Sequence, residues 1–506
     1  MLNVRKVCDI HALLGLLLPL FLLLPNHSVA GELKQVQWDQ GGWLTEFDTG
    51  LEHARLSGRP AFVYFDAPWC SWCQQYKLDT LAHPQVRSIL ARDFISIKIN
   101  YDARPDLVRR FGGRGLPFTL VLSPHGAELK RFVGVMSPTD LHSMLEALVL
   151  QPTHQPSQAI SSVETLHQAG KLDRQGYEVF RAAYLHHLDT LFDPARETLF
   201  GQFETGVTYK HTPLLAWIYL MENGLWEERA QRAALLDRQR LWDTLDTGFF
   251  NFIDPTRDEY RESSKLLEAN VWMAVRQAQA GQHDTQAQHS ALHTWYFLRE
   301  VLWDRKHAGF FQSKLADNAY YALPPTRRIQ RSAPPIDRIK RTDTNAQAVW
   351  ALIKLGKLTH NTEMTDYAVK TMNFLLRKMW HKDHLYHYIH NQQRAAPDLP
   401  HNWFWLLAAG AELERVRPDK WRHKQFSAIS VSAAHWLQER MLDNTGEKID
   451  NVLAGLIALS ASQRDLYPLL TAQNRDWALS QLRIETESPP DELVIGLWAW
   501  ERKLAE

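Results

Sequence analysis

One Cys-x-x-Cys motif constrains this chain more than any other feature. Cys70 and Cys73 lie in Pro68-Trp69-Cys70-Ser71-Trp72-Cys73, after Ala61-Phe62-Val63-Tyr64-Phe65 and before Gln74 to Leu81. The first run is short, apolar and rich in β-formers, so it reads as a buried strand; the second has helical composition. The motif therefore falls where a strand gives way to a helix. A thiolate at that point faces unpaired backbone N–H groups and the positive end of the helix dipole. Such placement lowers a cysteine pKa from about 8.5 to roughly 3.5–7.5. On this reading Cys70 is the exposed nucleophile, and Cys73, one turn inside, resolves the mixed disulfide. A zinc site needs four ligands, and the motif supplies two cysteines. A purely structural disulfide over so short a span constrains the unfolded chain very little. The expected cofactor set is thus none beyond the redox-active Cys70–Cys73 disulfide, with no metal.

The chain has three cysteines in 506 residues, too few for a disulfide scaffold. The third, Cys8, sits in an N-terminal segment with its own logic. Arg5 and Lys6 precede an apolar run from Leu13 to Leu24, broken by Gly15 and Pro19, and Ser28-Val29-Ala30 follows. This is the layout of a secretory signal peptide over residues 1–30, with cleavage after Ala30. The run falls short of the ~20 residues that span a bilayer; retention as an anchor is the alternative. The expectation is an exported, periplasmic or otherwise extracytoplasmic protein that is soluble once the signal is removed. With 57 basic and 57 acidic side chains there is no whole-chain reason to expect nucleic acid.

Residues 32–150 continue the strand and helix pattern. Phe94 to Ile99 reads as a second strand, Arg104 to Phe111 as a short helix, Phe118 to Leu122 and Leu129 to Val133 as further strands, and Thr139 to Leu150 as a closing helix. This is a thioredoxin-like order. In that fold a cis proline before the third strand faces the dithiol, so a cis Leu116–Pro117 bond is expected, with Trp69, Trp72, Leu116 and Pro117 lining the substrate groove. The stretches Arg59-Pro60-Ala61-Phe62, Cys70-x-Trp72-Cys73, Ile97 to Asn100 with Ala103-Arg104-Pro105-Asp106, and Leu116 to Gly126 resemble the spermatogenesis-associated protein 20-type (DUF255) family. That resemblance implies a thioredoxin-like domain followed by a helical toroid. There are departures. The family's Cys-His-Trp-Cys is Cys70-Ser71-Trp72-Cys73 here. The buried aspartate of ordinary thioredoxins is replaced by Tyr64, so deprotonating Cys73 needs another route. The family's His-Phe-Glu-Lys is Glu262-Ser263-Ser264-Lys265, and its Thr-Ser-Trp-Asn is Thr342-Asp343-Thr344-Asn345. These changes weaken any carry-over of activity to the helical part.

Residues 151–162 are rich in Gln, Pro and Ser and read as a linker. From 163 to 506 apolar-periodic stretches dominate, which indicates an all-α domain. It repeats: Leu241-Trp242-Asp243 leads to Gly248-Phe249-Phe250, Leu302-Trp303-Asp304 to Gly309-Phe310-Phe311, and Met379-Trp380-His381 to Leu385-Tyr386-His387. The period suits two helices plus loops, and such hairpins close into an (α/α)6 toroid or stack as an open solenoid. The fold class expected is multidomain: an α/β thioredoxin-like domain followed by an all-α six-hairpin toroid.

Several residues bear weighing for chemistry. The equivalent tryptophans Trp242, Trp303 and Trp380 form either a sugar-stacking surface or, as their repeat positions favour, core packing. His381, His384, His387 and His390 recur every third residue, but a strand-like run there would split His387 from His390, against a metal site. Glu262, Glu268, Asp343, Asp398 and Asp450 are candidate acid/base carboxylates that no spacing pairs. The basic segment from Pro324 to Arg341 reads as a solvated connection or a dock for an acidic partner.

These features favour an exported thiol–disulfide oxidoreductase whose helical domain recognises the client or a ligand. The rivals are a carbohydrate-active epimerase or glycosidase with an accessory redox domain, and a non-catalytic binding or chaperone module. Expected partners are client protein thiols or disulfides, a membrane electron donor, and a carbohydrate or small ligand in the toroid pocket. The motif does not set the direction of the redox reaction.

Overall fold

The computed structural model describes residues 42–113, 115–150, 164–199, 211–254, 260–417, 423–442, 449–463 and 465–506. The expected signal at 1–30 and linker at 151–162 lie outside the described residues. Among the described residues no helix is long and apolar enough to cross a membrane.

The N-terminal unit runs α1 (Phe47–Ser57), β1 (Ala61–Asp66), α2 (Ser71–Tyr76), α3 (Pro84–Asp93), β2 (Ile95–Asn100), α4 (Pro105–Arg110), β3 (Phe118–Leu122), β4 (Glu128–Val133) and α5 (Pro138–Leu150). The sheet order is β2-β1-β3-β4, with β1 parallel to β2 and antiparallel to β3. All six residues of β1 are buried, which explains why it reads as a continuous apolar run. Strand alternation splits its side chains between two cores. Phe62 and Tyr64 pack with Cys73, Tyr76, Leu141 and Leu145 on one face. Ala61, Val63 and Phe65 pack with Phe47, Ile97, Leu107 and Val108 on the other. This is the thioredoxin-like arrangement, and the Leu116–Pro117 bond is cis as expected.

The second unit is a closed ring. Its inner helices are Leu214–Glu222, Leu267–Ala280, Thr342–Leu358, Pro400–Val416, Asn451–Ala461 and Val494–Ala505. Each packs on the next, and the last returns to the first. Its outer helices include Arg174–Leu191, Glu227–Leu241, Thr285–Phe297, Thr362–Phe374, His423–Leu442 and Ala472–Ser480. Each packs on the inner helix before it, and the first packs on the last inner helix. The strand Thr165–Gln168 pairs with Arg483–Glu485 and clasps the two ends of the ring. Six hairpins therefore close into an (α/α) toroid, and the open solenoid is excluded. Inner helices such as Leu267–Ala280 and Asn451–Ala461 are buried nearly all round, as helices surrounded by helices must be.

The repeat read in the sequence has a physical basis. Trp242 bridges to Phe249 and Trp303 to Phe310. The Asn270 amide holds both the N–H and the C=O of Phe249, and Asn345 does the same for Phe310. Lys265 pairs with Asp243 at 2.8 Å, and Lys340 with Asp304 at 2.6 Å. Trp242, Trp303 and Trp380 are partly buried against the ring core, and Trp303 packs edge-on to Phe310 and Tyr367. They are packing residues, not an open stacking surface.

Connections from an inner helix to the following outer helix are mostly shorter than those from outer to inner, the links on either side of Asn451–Ala461 being the exception. The long loops and the N-terminal ends of all six inner helices therefore share one face, and the thioredoxin-like unit sits on that face.

Candidate functional site

Cys70 is the N-cap of α2, and its Sγ accepts the N–H of Cys73 at 3.1 Å. The two cysteines form a disulfide with Cα atoms 5.2 Å apart. The expected strand-to-helix placement is therefore observed. The expected exposure of Cys70 is not: Cys70 is 3% exposed and Cys73 0%. Cys70 packs in the redox unit's own core with Phe62, Tyr64, Ala67 and Tyr76, and a toroid segment covers the neighbouring Ser71 and Trp72.

That segment is the strand Tyr260–Glu262, in the long loop before the second inner helix. Ser71 Oγ lies 2.5 Å from Tyr260 Oη and also donates to Glu262 Oε2. The Trp72 ring packs on Tyr260 with centroids 4.9 Å apart. Glu262 is 2% exposed. Burial pushes its carboxyl above the ordinary range, and the Ser71 hydroxyl opposes that shift. Within the redox unit, Tyr64 fills the position of the missing aspartate and donates from Oη to the Cys73 carbonyl at 3.1 Å. Burial holds its phenol well above the ordinary range, so it offers a dipole and no charge.

A second junction fixes the other side of the motif. Trp69 Nε1 donates to Asp102 Oδ2 at 2.6 Å, and Asp102 Oδ1 accepts from Arg341 Nη1 at 2.6 Å. Arg341 also grips Asp343 through Nε at 3.0 Å and Nη2 at 2.5 Å. His387 Nε2 donates to the Asp102 carbonyl at 2.6 Å, while Nδ1 faces the Asn402 amide at 2.9 Å. Burial lowers the His387 pKa, which favours the neutral ring. Leu116 packs at the edge of the same core as Trp69 and Trp72, and Pro117 opens onto β3 beside it.

The mouth of the ring adds charged groups at equivalent helix starts. Glu268, Asp343 and His401 each stand second in an inner helix, and Asp450 caps the fifth by accepting the Leu453 N–H at 2.8 Å. Asp491 accepts the Ala216 N–H of the first inner helix at 2.8 Å. Burial raises Glu268, with Arg341 opposing, and raises Asp491 to about 7. At Asp343 burial is outweighed by Arg341, and at Asp450 by His401, so both are held well below the carboxylate range. The Glu268 side chain is nevertheless exposed, so it borders water-reachable space at the mouth.

The five carboxylates singled out in the sequence all lie in loops or helix starts of this face. Asp398, just before the fourth inner helix, is engaged by His384 Nδ1 at 2.5 Å and the Leu385 N–H. The strand His384–His390 places His387 inward and leaves His384 exposed, so the four histidines do not converge. The basic segment is corrected in part. Arg328, Lys340 and Arg341 turn inward onto Asp243, Asp304 and the Asp102–Asp343 pair, so this stretch is not simply a solvated connection. Tyr260, Asp102 and Arg341 escaped sequence reasoning as site residues. Only Arg341 lay in a segment that drew attention.

A thioredoxin-like family model matches residues 42–124. Human spermatogenesis-associated protein 20 is 24% identical over 116 residues, covering 21% of this chain and 14% of that protein. The match therefore spans a small part of that relative's length. Among solved structures, cellobiose 2-epimerase from Spirochaeta thermophila aligns with a TM-score of 0.49 at 16% identity, covering 66% of this chain and 98% of that one. A D-mannose isomerase aligns at 0.48 and 11% identity with the same coverage. A disulphide isomerase from Xylella fastidiosa aligns with 20% of this chain and 86% of its own, at 19% identity and a TM-score of 0.19.

Proposed function

We propose that this chain is an exported thiol–disulfide oxidoreductase whose dithiol, Cys70 and Cys73, works at the mouth of the toroid. The observation that carries the reading is Cys70 at the start of α2 with its sulfur accepting the Cys73 N–H, since that contact stabilises a thiolate on Cys70. In the reducing direction the Cys70 thiolate attacks a substrate sulfur, and Cys73 then attacks Cys70 Sγ to release the second thiol and close the disulfide. Trp69, Trp72, Leu116 and Pro117 bound the approach. Tyr64 steadies the Cys73 backbone, and the toroid selects what reaches the motif. The N-terminal layout of residues 1–30 supports export, with a membrane donor or acceptor of electrons and thiol or disulfide clients as partners.

A Cys73→Ser variant is expected to accumulate a mixed disulfide through Cys70, visible by mass spectrometry and lost in Cys70→Ser. No adduct, together with no disulfide-reducing activity in the parent, would sink the reading. A reduction potential near about −270 mV would mark a reductant, and one near about −120 mV an oxidant.

The split among the mouth carboxyls supports a second reading, in which the toroid acts on a carbohydrate or other small ligand. Glu268 stands exposed at the mouth, whereas Asp343 is held as the carboxylate by Arg341, and two carboxyls in unlike surroundings are what acid/base chemistry uses. Turnover of a disaccharide that survives Cys70→Ser and is lost in Glu268→Gln would favour it.

A further inference from the structure

We infer that the dithiol exchanges with a low-molecular-weight thiol or disulfide and not with a folded protein; this rests on the oxidoreductase reading. A protein disulfide is presented to such a motif on an extended chain. That chain must lie across the residues flanking the nucleophile and along the turn that carries the cis proline, with several residues on each side of the reacting sulfur. Here both flanks are already occupied by the same molecule. On one side Ser71 and Trp72 are held by Tyr260 and Glu262. On the other, Trp69 is held by Asp102, which Arg341 grips from the ring while His387 takes its carbonyl. The Arg341 and Asp102 side chains are 11% and 4% exposed, so parting them strips a poorly solvated Asp102 of its cation, while Arg341 keeps Asp343. A peptide therefore reaches Cys70 only when the ring has lifted off.

A small disulfide makes no such demand. Between the two units a groove of about 830 Å³ is lined by Pro68, Asn100, Ala103, Arg104, Tyr388 and Pro397, the first and third of them neighbours of Trp69 and Asp102 in the chain. Open space thus borders the junction that holds Trp69. A molecule of a few heavy atoms beyond its sulfurs can enter there with the ring in place.

The exchange balances in either direction. An incoming thiolate RS⁻ attacks Cys70 Sγ, and the Cys70–Cys73 bond breaks with its electron pair on Cys73, which takes the proton that the thiol gave up. A second RS⁻ attacks the substrate sulfur of the mixed disulfide, freeing RSSR and the Cys70 thiolate. Two thiols are oxidised to one disulfide as the enzyme gains two electrons; in reverse the dithiol reduces RSSR.

The test uses the full chain, reduced with dithiothreitol and freed of it, then mixed in single turnover with 2-hydroxyethyl disulfide, cystine or insulin. If the open form is a minor state of about 1%, the parent is expected to react at least about 100-fold faster with the better small disulfide than with insulin. Tyr260→Ala and Arg341→Ala, which loosen opposite flanks independently, are each expected to raise the insulin-to-small-disulfide rate ratio at least about tenfold. Parental rates on insulin within about threefold of the small disulfides, or ratios unmoved in both variants, would overturn the inference and leave the oxidoreductase reading standing. No reaction with any disulfide in the parent or either variant would overturn both.

Discussion

The redox unit and the ring both place chemistry at helix starts, but they assemble it differently. In the thioredoxin-like unit one helix start carries everything: Cys70 caps α2, and its partner lies three residues on. In the ring three of the equivalent groups, Glu268, Asp343 and His401, stand in inner helices, Asp450 caps another and Asp491 lies in the loop before the last, so they share one face only because the ring closes. Their interiors differ too. The redox unit buries two acids, Asp66 on its own Lys77 and Asp102 on Arg341 of the ring, whereas the ring buries four cations, Lys265, Arg276, Arg328 and Lys340, each on an aspartate. A local motif needs only a packed strand and a helix behind it. A site shared among hairpins needs each long loop pinned in register, and buried ion pairs give that specificity at a desolvation cost.

The largest expected effect follows from that contrast. Asp243 accepts from both Lys265 and Arg328, all three nearly inaccessible to water. Asp243→Ala leaves two buried cations unpaired and is expected to cost about 3–5 kcal/mol. At the equivalent loop Asp304 holds one buried cation, Lys340, on an oxygen it shares with His307 Nδ1, and its own side chain is 13% exposed, so Asp304→Ala is expected to cost about 1–3 kcal/mol. Urea unfolding of both variants checks the order. Equal costs would break the claim that these pairs, and not the repeat positions themselves, fix the loops.

The same contrast explains what could be read in the sequence. The Cys-x-x-Cys at a strand-to-helix junction and the cis bond before Pro117 were legible because each is decided within a few residues. The ring was legible because Leu-Trp-Asp followed by Gly-Phe-Phe repeats, and the structure shows why: the bridge from each tryptophan to a phenylalanine fixes the return of the chain. The toroid's grip on the motif was not legible. Ser71 and Tyr260 are 189 residues apart, and no spacing rule joins them. The exposure expected of Cys70 failed for a nearer reason, its packing with Phe62, Tyr64 and Tyr76 of its own unit. The inward turn of Lys340 had a signal that went unused, since an aspartate follows the tryptophan in both copies of the repeat.

A smaller effect separates two glycine turns. Gly309, at φ +77°, would place a Cβ 2.5 Å from Phe374 Cδ1, so Gly309→Ala adds a steric clash to left-handed backbone strain. Gly126, at φ +83° in the turn before β4, meets nothing closer than 3.9 Å and bears the backbone strain alone. Expected costs are about 2–3 kcal/mol for Gly309→Ala and about 1 kcal/mol for Gly126→Ala, read from thermal or urea melts. A larger cost at Gly126 would show that the ring loops have more slack than the redox unit.

The smallest expected effect is a titration. In the redox unit Glu52, Asp93 and Asp106 are all held below the ordinary range by arginine partners, at Asp106 against a burial cost. In the ring Asp491 is raised by burial to about 7, with Glu268 adding to the shift and the N–H of Ala216 opposing it. A carboxyl that binds its proton more tightly in the folded chain contributes most at low pH. Its contribution is lost as pH rises from about 4, its unfolded value, through about 7. Asp491→Asn keeps an acceptor for the Ala216 N–H and removes the charge. Relative to the parent it is expected to gain stability across that interval, on the order of 1–2 kcal/mol by neutral pH, with little difference below pH about 4. Urea midpoints measured at several pH values decide the sign. A variant that loses ground as pH rises would mean that Asp491 is stabilised as the carboxylate, and the ring mouth would then resemble the redox unit in holding its acids ionised.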